Sequence, residues 1–80
     1  MQSIDIGNRA AAELAKAERL VVMTNSLIEL QRQFVEYLDQ TNNDITSAKM
    51  DFDHLLAGLV SCVERRHRLR AMVRAQAKAA

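Results

Sequence analysis

Asp39-Gln40-Thr41-Asn42-Asn43-Asp44 is the stretch on which the fold depends: six consecutive polar residues with nothing to bury. Threonine, asparagine and aspartate bond to nearby backbone groups outside helices, so such a run favours a cap and a turn. Outward from it, both flanks are periodic. From about residue 8 to 39, Ala10, Leu14, Ala17, Val21, Ile28, Val35 and Leu38 recur at the 4-3 spacing of a helix face, with Thr24 and Gln31 in the same series. A second row, Leu20, Met23, Leu27, Leu30, Phe34 and Tyr37, runs beside it. From about 45 to 77 the stripe is Ile45, Phe52, Leu55, Leu56, Leu59, Val60, Val63, Leu69 and Val73. The reading is one domain over 1–80, with two helices joined by a turn at about 40–44. Ser3, Asp5 and Asn8 are candidate N-caps of the first helix.

Composition supports an all-α class. The chain has no proline and two glycines, Gly7 and Gly58, whereas a β-rich domain needs turn residues about every 8–12 positions. A single cysteine, Cys62, excludes an internal disulfide. The longest bulky apolar run, Leu20-Val21-Val22-Met23, falls far short of the roughly 20 residues that span a bilayer. No basic-then-apolar signal pattern opens the chain. These features lead to the expectation of a cytoplasmic protein without a membrane partner.

Two architectures compete. A single rod keeps the 4-3 phase through Leu38, Asn42, Ile45 and Phe52, and would make a coiled-coil dimer. An antiparallel hairpin sets level those residues whose numbers add to about 84. That register matches Phe34 with Met50, Ile28 with Leu56, Thr24 with Val60, Val21 with Val63 and Leu14 with Leu69. It also sets Arg32 against Asp53, Glu36 against Lys49, Glu18 against Arg66 and Glu13 against Arg70; Lys16 and Arg19 meet Arg68 and Arg65. Opposite charges outnumber like ones, and the polar stretch supplies caps, so the hairpin is preferred. Its broad apolar stripe exceeds what one neighbour covers. Two hairpins face to face would make a four-helix bundle, so a homodimer is expected.

Candidate functional residues are few. Residues 64–80 carry Arg65, Arg66, Arg68, Arg70, Arg74 and Lys78 against Glu64 alone, while 1–63 are net acidic. This basic end suits phosphates or an acidic protein. It equally suits a helix C-terminus paired with acidic side chains of the first helix. No aromatic residue interleaves the arginines for base stacking. Asp51-x-x-His54 and Glu64-x-x-His67 each set a carboxylate and an imidazole one turn apart, but Arg66 and Arg68 beside His67 oppose a bound cation. No metal or cofactor is expected, His67 is expected to pack opposite Ala17, and Cys62 reads as a buried structural thiol. Gly58, with Ala57, Ser61 and Cys62, forms a small-residue patch inside a strong helix.

There is no glycine-rich phosphate loop and no plausible triad, so an enzyme is not expected. The expected function is a small regulator or adaptor of the inhibitor, anti-activator or chaperone type. It would bind another protein through Leu30, Phe34, Tyr37 and Gly58. The alternative is nucleic-acid binding through the basic C-terminal end.

Overall fold

In a computed structural model that describes the backbone of residues 2–79 and the side chains of residues 8–79, the chain is two long helices, α1 (Gln2–Gln40) and α2 (Thr46–Ala79). At 1.5 Å per residue α1 alone is about 58 Å long, and the whole molecule measures 61 × 16 × 14 Å. α2 therefore returns alongside α1, and the chain is a helical hairpin rather than a rod. α1 begins ahead of Asn8, so Asn8 lies within the helix as an exposed residue and caps nothing. The side chains of the other two candidate caps, Ser3 and Asp5, lie outside the described residues.

The polar stretch does two separate jobs. Asn42 adopts the left-handed conformation, with φ of 59°. Asn43 N–H then donates to the Leu38 carbonyl at 2.8 Å, and Asn42 N–H to the Asp39 carbonyl at 3.2 Å. This paired arrangement satisfies carbonyls that the last turn of α1 would otherwise leave open. The Thr41 hydroxyl donates towards the Tyr37 and Leu38 carbonyls. Asp44 opens α2: its carboxylate accepts the Thr46 N–H at 3.0 Å and the Thr46 hydroxyl at 2.7 Å. Those two bonds hold the Asp44 carboxyl below its ordinary range.

The helices meet along one narrow seam. On α1 it comprises Ala10, Leu14, Ala17, Val21, Thr24, Ile28, Gln31, Val35 and Leu38, all buried or half-buried. On the other side it comprises Ile45, just ahead of α2, and Ala48, Phe52, Leu55, Leu59, Cys62, Arg66, Leu69, Val73 and Gln76 of α2. Both runs alternate steps of three and four without a break, the heptad repeat of a coiled coil. Gln31, a polar seam member, donates across to the Ala48 carbonyl at 3.0 Å.

The register differs from the sequence expectation by one residue, and that residue matters. Cross-helix ion pairs join Glu13 to Arg65 at 2.8 Å and Glu18 to Arg70 at 3.6 Å. They replace the expected Glu13–Arg70 and Glu18–Arg66. Their residue numbers add to 78 and 88, on either side of about 83, the sum that matches the buried and half-buried rows of the two helices with each other. Cys62 and Leu59 thus enter the seam where Val63 and Val60 were expected. Arg66, not His67, comes to the level of Ala17; His67 is exposed. Cys62 is half-buried rather than buried. Arg32 bonds Glu29 and Glu36 within its own helix instead of Asp53. A period of 3.5 accounts for the slip. One step along a helix turns a side chain by about 100°, so choosing between neighbouring members of an apolar run needs the whole seam.

Candidate interaction surfaces

The two ion pairs also define the faces of the hairpin. Glu13 and Arg65 each come one residue before a seam position, Leu14 and Arg66. Glu18 and Arg70 each come one residue after, following Ala17 and Leu69. In an antiparallel pair, residues just before the seam on both helices share one face, and residues just after share the other. Apart from Met50, which lies midway between the seam positions Ala48 and Phe52, the exposed large apolar residues divide by this rule.

Leu20, Met23, Leu27, Leu30, Phe34 and Tyr37 each precede a seam residue of α1 and lie on the Glu13–Arg65 face. Their exposures run from 45% to 63%. Gly58 precedes Leu59 and belongs to the same face; a Cβ built there would meet nothing within 4 Å. The glycine therefore serves no contact within the hairpin. Leu30, Phe34, Tyr37 and Gly58 are thus brought onto one surface. Val22, Leu56, Val60 and Val63 each follow a seam residue and lie on the opposite, Glu18–Arg70 face, all exposed. The broad stripe read from the sequence is in fact a seam with two rows on opposite sides. Two hairpins stacked on one face would bury only one of them.

The basic end is dispersed by the same geometry. Arg65 and Arg68 fall on the first face, Arg70 and Arg74 on the second, Arg66 in the seam, and Lys78 in the exposed last turn. Arg65 and Arg70 are each matched by a glutamate of α1. Arg66 is half-buried at a seam position, where a long aliphatic stem can be covered while the charged head stays in water. The six cations do not form a single patch.

Elsewhere on α1, Arg32 sits between Glu29 and Glu36 and bonds both. Its guanidinium, helped by a hydrogen bond from Gln33, holds the Glu29 carboxyl below its ordinary range, and Glu29 holds Arg32 above its own. These groups are exposed and form a solvated cluster. His54, Glu64 and His67 are exposed as well. Among the described residues, no three histidine, cysteine or acidic side chains converge to hold a metal ion. No helix among the described residues is long and apolar enough to cross a membrane.

No family model, curated protein or solved structure matches this chain, so geometry alone bears on its function. Sequence reasoning missed Arg66 as a seam residue and the separateness of the Val60 face. A signal for both was present. The steps Ile45, Ala48, Phe52, Leu55, Leu59, Cys62, Arg66, Leu69 and Val73 alternate strictly between three and four, even though Arg66 is charged.

Proposed function

We propose that this chain is a small non-catalytic adaptor or regulator that acts by occupying a surface of another protein. The observation that supports this reading is the opposition of two apolar faces on one thin hairpin. The six-residue row from Leu20 to Tyr37 lies on one side, and Val22, Leu56, Val60 and Val63 lie on the other. Exposed apolar surface on that scale marks interaction sites, and straight helix rows suit helix-in-groove contact. An inhibitor, an anti-activator and a chaperone that shields a partner's helix all belong to this class. The proposed compartment is the cytoplasm, on the strength of the lone cysteine Cys62.

Nucleic-acid binding has weaker support. Its cations are spread over both faces, and two of them already meet glutamates. The readings separate on salt. Immobilised chain is exposed to extract of the native host at low and at high salt. A protein retained at both, lost with Val60→Glu and kept with Arg68→Gln/Arg74→Gln, is the expected result. Retained nucleic acid that falls by orders of magnitude with salt, and is lost in the arginine variant, would overturn the proposal.

A further inference from the structure

We infer that the Leu20–Tyr37 face is covered by a second copy of this chain, with α1 packed antiparallel on α1 about a two-fold axis between Leu27 and Leu30. The inference rests on the reading of this row as an interface, assigns it one occupant, and leaves the Val60 face for the other protein.

Area is the first argument. The chain exposes 6186 Å², whereas a compact protein of 9.0 kDa exposes about 4,850 Å². The surplus of about 1,300 Å² exceeds the roughly 800 Å² that each partner buries in a standard interface. The hairpin is also long for its size, with a radius of gyration of 18.0 Å against about 12 Å for a compact chain of this length. A second hairpin laid along it removes surface over most of that length.

Self-complementarity is the second. Under the two-fold, Leu20 comes level with Tyr37 of the second copy, Met23 with Phe34 and Leu27 with Leu30. Every layer is apolar, and the Met23–Phe34 layers set a thioether against an aromatic ring, a favourable contact. The steps of three and four through this row are those of a coiled-coil seam in their own right.

Charge sets the direction. Arg19 and Glu36 flank opposite ends of the row, and Arg19 makes no ion pair among the described residues. A parallel arrangement would bring Arg19 against Arg19 and Glu36 against Glu36. The antiparallel one brings Arg19 level with Glu36 of the second copy at both ends. On the α2 side of this face, the open space over Gly58 leaves room for the incoming helix.

Sedimentation equilibrium of the purified full chain at micromolar concentration should give twice the chain mass. Leu27→Glu/Phe34→Glu should give a monomer of unchanged helical circular dichroism, since both positions are exposed within the hairpin, with dimer affinity weakened at least about 100-fold. Arg19→Glu should weaken the dimer less, and adding Glu36→Arg should restore it. In a Cys62→Ala background, chains carrying Leu20→Cys and Tyr37→Cys should form a mixed disulfide when combined. Leu20→Cys alone should form none, because its two copies stand 17 residues apart along the axis, about 25 Å. A monomeric wild type, a dimer that survives Leu27→Glu/Phe34→Glu, or efficient Leu20→Cys self-crosslinking would each overturn the inference. These measurements need no other protein, so a dimer that captures nothing would count against the proposed function and not against this interface.

Discussion

The open end of the hairpin and its turn half share one seam and differ in what lines it. Along the first half of α1, the row just before the seam reads Arg9, Glu13 and Lys16, and α2 answers with Arg65 and Arg68 on the same face. From Leu20 onward the same row reads Leu, Met, Leu, Leu, Phe and Tyr. At the open end the seam holds Ala10, Leu14, Ala17, Leu69, Val73 and the half-buried Arg66, and ion pairs close it on both faces. Met72 is the one large apolar side chain left exposed there among the described residues. In the turn half, Ile28, Val35, Phe52 and Leu55 fill the seam, while the Leu20–Tyr37 row remains outside it on one face and Leu56 and Val60 on the other. A heptad seam decides which helices pair; the rows beside it decide whether the pair needs anything more.

The distinction between seam and row is open to a direct attack, and it has the largest expected effect. Val21 is only 6% exposed. Val21→Asp sets an unpaired charge in the seam and should abolish cooperative thermal melting along with most of the helical signal. Leu30→Glu, in the row, should leave the helical signal of the hairpin intact. Equal damage from the two would erase the difference between them.

A smaller effect is expected at the turn. Asn42 holds a left-handed backbone, which costs an ordinary L-residue about 1–2 kcal/mol. Asn42→Val should lose at least that much in chemical denaturation, more for its β-branch, whereas Asn42→Gly should lose nothing. At the open end, Arg66→Leu exchanges a half-buried charged side chain for an apolar one of similar reach. It should add about 1 kcal/mol in the same experiment and make the two ends of the seam more alike. A loss would instead mean that the Arg66 charge has a structural role.

The smallest effect is a pH dependence confined to the turn. The folded state holds the Asp44 carboxyl below its ordinary range because Thr46 donates two hydrogen bonds to it. A depressed carboxyl contributes stability that is present above its unfolded value and lost as pH falls through the folded one. Amide exchange at the start of α2 should therefore quicken in that acidic window while the Val21 region stays protected. Asp44→Asn should remove the pH dependence. An NMR titration placing the Asp44 carboxyl at or above the ordinary aspartate value would contradict the cap geometry.

Much of this was legible in the residues. The Asp39–Asp44 run marks the turn, and the 4-3 series from Ala10 to Leu38 marks the seam of α1 with Thr24 and Gln31 in it, because helical periodicity is a local property of the chain. The seam of α2 was harder to read. Leu55-Leu56 and Leu59-Val60 offer adjacent apolar residues, and Arg66 stands where an apolar residue is expected, so composition drew the eye to Val60 and Val63.

The sequence by itself determined that the chain is helical on both sides of the Asp39–Asp44 run and which stripe of α1 meets its neighbour, and it favoured a turn there over a continuous rod. Spacing, caps and polar runs act over a few residues and need no partner to be read. Only the tertiary structure decided the register, hence that Glu13 meets Arg65 and Glu18 meets Arg70, and hence that the Leu20–Tyr37 row and the Val60 patch lie on opposite faces. Register depends on how two surfaces interlock over ten turns at once. A shift of a single residue moves a side chain from the seam to a face without altering any local preference.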